Sequence, residues 1–280
     1  MTILTTGTAD YPWRPDSTFF APTDAVPSAL LLQTTTVAGS IEGDTPSVRV
    51  AFVKDAESAD YVAEGTPIES DEPDLDEVVL NAKRITRLVT LSTQQYRQTE
   101  TATQVSQSVA RDLVQKADNA FLGDSLSDPS TGLLNVDGVI DGGEVVDNLD
   151  VLVDLIAELE NNGAQPSAII VDPLTWASLR KLKKGGDEIN ASLLGAGVTD
   201  ARPLLLSLPV LRSRWLPAGT GLVADRSQIV SAVGPVEVAV SEHAAFASHA
   251  VQMRATWSVG WTVVRPDRLG KFTVEGDLGS

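Results

Sequence analysis

Ser47-Val-Arg-Val-Ala-Phe-Val53 alternates apolar and polar residues with the two-residue period of a strand. Val78-Val-Leu-Asn-Ala-Lys-Arg-Ile-Thr-Arg-Leu-Val-Thr-Leu-Ser92 is a second run rich in Val, Leu, Ile and Thr. Between them, residues 55–77 hold ten acids (Asp55, Glu57, Asp60, Glu64, Glu69, Asp71, Glu72, Asp74, Asp76 and Glu77) and no base. Pro67 and Pro73 punctuate that stretch and Gly65 offers a turn. The pattern predicts a long hairpin with an acidic tip. At about 3.3 Å per residue its return strand, Val78 to Ser92, reaches roughly 50 Å, well beyond the usual strand length. An isolated hairpin cannot bury both faces, so this one is expected to lie on another surface, such as a second copy of the chain.

Outward from the hairpin the chain changes character. Residues 1–46 hold Pro12, Pro15, Pro22, Pro27 and Pro46 and an aromatic knot of Tyr11, Trp13, Phe19 and Phe20. Repeated proline argues against a continuous helix or central strand, so an extended arm is expected, its aromatics docked on its own or a neighbouring subunit. Downstream, Ala102, Val105, Val109, Leu113, Ala117, Ala120 and Phe121 recur at helical spacing, predicting a helix over 99–122 that stops at Gly123. From residue 145 helix and strand alternate. Val146 to Glu160 reads as a helix and Ser167 to Val171 as a buried strand. Asp172 and Pro173 open a helix to Leu182. Leu208–Arg214, Gly221–Ala224 and Val236–Val240 read as strands, and Gln252 to Val264 as a final strand pair. The fold class is α+β.

The 280 residues are 42% hydrophobic and 21% charged, enough for one or two cores and unlike a disordered chain. The net charge of −17 argues against sequence-specific nucleic-acid binding, which needs a cationic surface. With no cysteine there are no disulfides, zinc ribbons or thiol nucleophiles. The first residues show neither a basic nor an apolar signal region, and no apolar run is long enough to span a membrane.

Enzyme signatures are sparse. Gly195-Ala-Gly197 lacks the third glycine of a dinucleotide loop, and Gly185-Gly186 lacks the Lys-Ser/Thr of a phosphate loop. His243 and His249 do not match a metal-ligand spacing and read as structural. Asp137-Gly-Val-Ile-Asp141, with Gly143, reads as a loop without the acid ladder of a calcium site. No catalytic, cofactor-binding or metal-ligating residue is assigned. The acidic block has three open readings: a solvated loop, a contact with a neighbour's bases, or a collector of divalent cations.

The order of elements resembles the major capsid proteins of tailed bacteriophages, with the Hong Kong 97-like fold. Tyr61-Val-Ala-Glu-Gly65 with Pro67-Ile-Glu-Ser looks like the tip of that family's extended E-loop, and Lys83 to Ser92 like its returning strand. The helix near 99–122 resembles the spine helix of the peripheral (P) domain, and Thr131-Gly-Leu-Leu-Asn135 the motif that follows it. Ile169-Ile-Val-Asp-Pro-Leu-Thr-Trp176 resembles a strand–helix unit of the family, and Leu208-Pro-Val210, Leu216-Pro-Ala-Gly219 and Val223-Ala-Asp225 its axial (A) domain. Arg254-Ala-Thr-Trp-Ser-Val-Gly-Trp261 and Val264-Arg-Pro266 resemble the last P-domain strands.

The resemblance implies five parts. Residues 1–46 form an N-terminal arm, 47–92 the E-loop hairpin with flanking P-domain strands, and 93–135 the spine-helix region. Residues 136–248 are mainly A-domain, and 249–280 the returning P-domain strands and C-terminus. It further implies a structural, non-enzymatic subunit that assembles with itself into hexamers and pentamers of an icosahedral phage head enclosing double-stranded DNA. The expected inter-subunit contacts are Tyr61, Glu64, Gly65, Glu69, Asp71, Glu72 and Asp74 at the E-loop tip, and Tyr11, Trp13, Phe19 and Phe20 on the arm. Further partners implied are a separate scaffolding protein (the chain shows no scaffolding segment ahead of the arm, unless it is already shortened), a portal, an optional decoration protein, and non-specific contact with packaged DNA. No cofactor and no membrane are implied. The location is the virion capsid, after assembly in the host cytoplasm. An encapsulin-like shell around cargo enzymes is the alternative, although the proline-broken arm lacks the amphipathic helix it would need. The family's lysine–asparagine crosslink is not carried over: Lys54 is the one lysine near the tip, and no matching asparagine and acid are found.

Overall fold

A computed structural model describes residues 17–41, 47–54, 61–62, 65, 75–123, 130–182 and 203–275. In chain order the elements begin β1 (Ser17–Phe20), α1 (Pro22–Ala25), α2 (Leu30–Thr34), β2 (Thr36–Ser40), β3 (Ser47–Val53), β4 (Leu75–Asn81), β5 (Lys83–Ser92), α3 (Thr93–Tyr96) and α4 (Thr99–Gly123). They continue with a 3-10 turn (Leu133–Asn135), β6 (Ile140–Val145), α5 (Asp150–Asn161), β7 (Ala168–Val171), α6 (Pro173–Lys181), β8 (Leu204–Leu205), β9 (Leu208–Arg212) and β10 (Thr220–Ala224). The last strands are β11 (Ile229–Ala245), β12 (Ala250–Val263) and β13 (Gly270–Val274).

Helix α4 forms as its sequence period requires, with Val109, Leu113, Ala117 and Phe121 buried along one face. That face shares a core with Trp257 and Trp261 of β12, and Phe121 meets Trp261 edge to face with ring centroids 5.5 Å apart. The segment after the helix is tied to the same tryptophan. Ser130 Oγ accepts from the Trp261 backbone N–H at 3.2 Å, and the indole Nε1 donates to the Thr131 carbonyl at 2.9 Å. Asn135 Nδ2 donates to the Gly123 carbonyl at 3.1 Å, satisfying an orphan acceptor at the helix end.

Behind α4 lies a sheet in the order β1-β11-β12-β5. β12 covers one edge of β11, while β1 (antiparallel) and β2 (parallel) share the other edge end to end. A second, six-stranded sheet runs β6-β13-β10-β7-β9-β8 and packs with α5 and α6 through Leu152, Leu155, Leu159, Trp176, Leu179 and Phe272. Asp172 caps α6, accepting from the Leu174 N–H at 2.8 Å and the Thr175 N–H at 3.3 Å, with Pro173 in the first turn. β3 and β4 form a two-stranded sheet of their own.

Several expectations are corrected. The run 78–92 is two strands: β4 pairs with β3, the chain breaks step at Ala82, and β5 pairs with β12. The strand expected over 236–240 is the middle of the 17-residue β11, whose Gly234-Pro235 is absorbed by a register shift between Val233 and Val236. The expected strand pair over 252–264 is the single strand β12, and its partners are β11 and β5. The helix expected from Val146 begins at Asp150. The Asp/Gly loop is half strand: β6 begins at Ile140, and Asp141 Oδ1 accepts from the Gly143 N–H at 3.0 Å. The arm is more than an extended tail between 17 and 41. Pro22 sits in the first turn of α1, where its missing N–H costs nothing.

The arm is held to its own subunit. Val26, Ala29, Leu30 and Leu31 enter the α4 core. Thr35 Oγ1 and Ser231 Oγ lie 2.7 Å apart, both buried, and Arg226 Nε donates to the Thr35 carbonyl at 2.9 Å. The Leu30 N–H, an orphan donor at the start of α2, donates to Asp118 Oδ1 of α4 at 2.8 Å. Burial pushes the Asp118 carboxyl up to about 6, against the pull of the Leu30 and Leu31 N–H groups, which favour the charged form. An acid whose folded pKa lies above its unfolded value holds an extra proton only when folded. This site therefore favours folding most at low pH and loses that contribution as pH rises from about 4 through 6. Asp118→Asn, which keeps an acceptor without the charge, is expected to match or exceed the unmodified chain in thermal stability at pH 7 and to gain less on acidification to pH 5. Asp118→Ala, which strands the N–H groups, is expected to lose about 1–3 kcal/mol. Denaturant melts of the three proteins across that pH range check both.

Candidate functional site

The hairpin is the part of the described chain that its own fold supports least. β3 and β4 pair from Ser47↔Asn81 to Val53↔Leu75. Their alternation turns Val48, Val50, Val78 and Leu80 onto Ile41, Val230 and Ala232, a small core at the hairpin root. Arg49, Ala51, Val53, Leu75 and Val79 are exposed, and Leu75, at the outer end, keeps 67% of its surface. One contact reaches further out: Arg265 lies over the Phe52 ring with its guanidinium carbon 5.6 Å from the centroid and donates through Nη2 to the Val53 carbonyl at 2.7 Å.

The acids divide into two groups. Asp76 and Glu77 stand on β4 and are paired across the hairpin, Asp76 with Lys54 Nζ at 3.3 Å and Glu77 with Arg49 Nη1 at 3.3 Å. The Glu77 backbone N–H, then the Lys54 ammonium, hold the Asp76 carboxyl below its usual range. The other eight, from Asp55 to Asp74, lie outside the described residues.

Of the E-loop candidates, Tyr61 is fully exposed, and Gly65 has φ +85 with nothing within 4 Å of an added Cβ. Glu64, Glu69, Asp71, Glu72 and Asp74 lie outside the described residues, as do Tyr11 and Trp13 of the arm. Phe19 contributes backbone pairing to β1 opposite Glu237, and Phe20 beside it is 46% exposed. Among the described residues, these are not gathered into a common site. His243 and His249 are both exposed at the β11–β12 turn, where the His249 carbonyl accepts from the Thr93 N–H at 2.9 Å and Oγ1 at 2.7 Å. Among the described residues no three His, Asp or Glu side chains form a metal-binding group, and no helix is long and apolar enough to cross a membrane.

Sequence reading missed one feature that needs the third dimension. Lys83, Arg84 and Arg87 of β5 and Lys116 of α4 line one groove between strand and helix. Three of these cations are visible as a cluster in the sequence. The fourth comes from a helix about thirty residues away, and no local pattern announces it.

Residues 29–274 match the model of the phage capsid family. No curated protein matches the chain by sequence. Among solved structures, the capsid of a native GTA particle superposes with a TM-score of 0.68 at 17% identity, over 99% of this chain and 96% of that one. A chain from Microbacterium phage Oxtober96 gives 0.68 at 14% identity over 97% and 96%. One from Gordonia phage Cozz gives 0.67 at 14% over 98% and 92%.

Because Arg265 bridges β12's end to the hairpin, Arg265→Ala is expected to speed amide exchange at residues 48–53 and 75–80 while β11 and β12 keep their protection. Hydrogen exchange resolved by residue measures it, and unchanged exchange in the hairpin would show that the Val48–Leu80 core suffices.

Proposed function

The chain belongs to the phage capsid family, and from that premise we propose that it is the major capsid subunit, tiling as hexamers and pentamers into an icosahedral head around double-stranded DNA. The match over residues 29–274 carries this reading. The physical support is a hairpin that buries one face at its root and leaves Val53, Leu75 and Val79 in solvent until a neighbour covers them. In this reading the five-stranded sheet with α4 plays the part of the P-domain, the six-stranded sheet that of the A-domain, and the hairpin that of the E-loop. Tyr61, Glu64, Gly65, Glu69, Asp71, Glu72 and Asp74 then meet a neighbouring subunit, as do Tyr11, Trp13, Phe19 and Phe20 of the arm. The role is structural, without a catalytic step. A separate scaffolding protein, a portal and an optional decoration protein complete the assembly in the host cytoplasm, and contact with the packaged DNA is non-specific.

An encapsulin-like shell is not favoured. The matched structures are phage and GTA capsids, and α1 and α2, at four and five residues, are too short to form a cargo groove. Particles purified with DNA inside support the capsid reading, and particles holding a cargo enzyme overturn it.

Replacing Glu69, Asp71, Glu72 and Asp74 together by Gln or Asn is expected to leave the circular dichroism spectrum intact and to lower particle yield at low salt. Each exposed pair contributes only about 0–1 kcal/mol, so the effect rests on several pairs repeated around a capsomer. The gap to the unmodified chain should narrow as salt screens those pairs. Equal yields at every salt concentration would mean a merely solvated tip. Particles boiled in detergent are expected to release single chains, and ladders that resist boiling would reveal a covalent link.

A further inference from the structure

We propose that the turn Asp225–Gln228 couples the arm to the hairpin, so that the docked arm sets the direction in which the hairpin leaves the body. The coupling is a property of the single subunit and holds whatever the chain assembles into. The turn joins β10 to β11, and a carboxylate fixes its shape. Asp225, 2% exposed, accepts through Oδ1 from the Ser227 N–H at 2.8 Å and the Ser227 hydroxyl at 2.7 Å. Its Oδ2 accepts from the Gln165 N–H at 2.7 Å, just ahead of β7. Ser167 Oγ accepts from the Arg226 N–H at 3.0 Å and donates to the Ala224 carbonyl at 3.0 Å. A turn tied at so many points moves as one piece.

On one side the turn clasps the arm. Arg226 Nε donates to the Thr35 carbonyl at 2.9 Å, and Thr36 Oγ1 donates back to the Arg226 carbonyl at 3.0 Å. Beside this clasp Thr35 Oγ1 donates to the Leu31 carbonyl at 2.6 Å. Its one hydrogen is then used, so the buried Ser231 hydroxyl is the donor in their 2.7 Å contact. On the other side the turn reaches the hairpin through one intermediary. Gln228, 7% exposed, donates through Nε2 to Ser227 Oγ at 2.8 Å and accepts through Oε1 from Arg265 Nη1 at 3.4 Å. Arg265 is the residue whose Nη2 donates to the Val53 carbonyl and whose guanidinium lies over Phe52. The backbone follows the same line, the Val264 N–H donating to the Gln228 carbonyl at 2.8 Å.

Each group in that line is oriented by the one before it. The buried Gln228 amide cannot turn over without losing both Ser227 and Arg265, so the position of Arg265 follows the turn. Releasing the arm frees the turn at Arg226, and a freed turn no longer fixes Arg265 against Val53. Coupling of this kind is reciprocal: what loosens the hairpin loosens the arm by the same free energy. A neighbour that holds either appendage therefore steadies the other one in the same subunit.

Residue-resolved hydrogen exchange on the full chain tests the coupling. Arg226→Met keeps the aliphatic stem and removes the donor to Thr35. It is expected to speed exchange about fivefold at residues 48–53 as well as at 35–41, the weight of one net hydrogen bond, while β7, β10 and β12 keep their protection. Thr36→Val, which swaps an exposed hydroxyl for a methyl, is expected to act in the same direction and serves if Arg226→Met does not fold. In the reverse sense, Arg265→Ala is expected to speed exchange at 35–41. In the chain carrying both Arg226→Met and Arg265→Ala, the increase at 48–53 should fall short of the product of the two single increases. An effect of Arg226→Met and Thr36→Val confined to 35–41 would overturn the coupling. So would a double variant whose increase equals that product, since arm and hairpin would then be anchored separately.

Discussion

At Asn81–Ala82 the chain crosses over Gly260, and the rest of the architecture depends on that crossing. A Cβ on Gly260 would stand 2.4 Å from the Asn81 carbonyl oxygen and 3.0 Å from the Ala82 Cα, so only glycine lets the two backbones approach this closely. The crossing divides one β run between two sheets. Lys83–Ser92 stays in register with β12, and Leu75–Asn81 leaves to pair with β3 alone. A two-stranded sheet projected from the body buries one face at its root and no more. The exposed Val53, Leu75 and Val79 are the direct consequence, and they are unstable company for water unless another surface meets them.

Charge follows the same division. A chain of net charge −17 repels its copies at long range, and a shell demands that copies touch. The described part lowers that conflict locally: Lys54 and Arg49 neutralise the two acids nearest the hairpin root. Beyond them the acids accumulate without bases, while Lys83, Arg84, Arg87 and Lys116 gather at the β5–α4 groove. Segregated charge of this kind favours a few relative orientations of two copies over all others, which is worth more to assembly than the strength of any one pair.

Elements whose cause is local were legible in the sequence. Helix α4 was expected over 99–122 and spans Thr99–Gly123, because its apolar period and terminal glycine act within the segment itself. The same holds for α6, where Asp172 and Pro173 carry the start signal. Elements whose cause lies elsewhere were not legible. Nothing between Val78 and Ser92 marks a break, since the residue that permits it is Gly260, far along the chain. Gly234-Pro235 looks like a stop, yet β11 continues through it because β12 holds both flanks and the irregularity is taken up as a register shift. Asp118, polar on an otherwise apolar helix face, gave no hint that α2 would supply its partner. The acidic tip and the arm aromatics were legible as residue types, and their partners belong to the assembly.

The arm occupies one side of the five-stranded sheet. β1 and β2 together close the far edge of β11, and Asp118 with the buried Leu30 and Leu31 fixes them there. The five-stranded sheet ends on β1 and β2 at one side and on β5 at the other, and β5 is also the wall of the cationic groove. The projecting hairpin and the basic groove are thus different surfaces of one chain. A contact between two different surfaces can close reciprocally between two copies about a two-fold axis or run head to tail around a ring. Only the head-to-tail arrangement builds a ring of more than two copies. The number of copies at closure depends on the angle each contact imposes. The hairpin's own contribution to that angle is set at its base, where Val48, Val50, Val78, Leu80 and Arg265 root it.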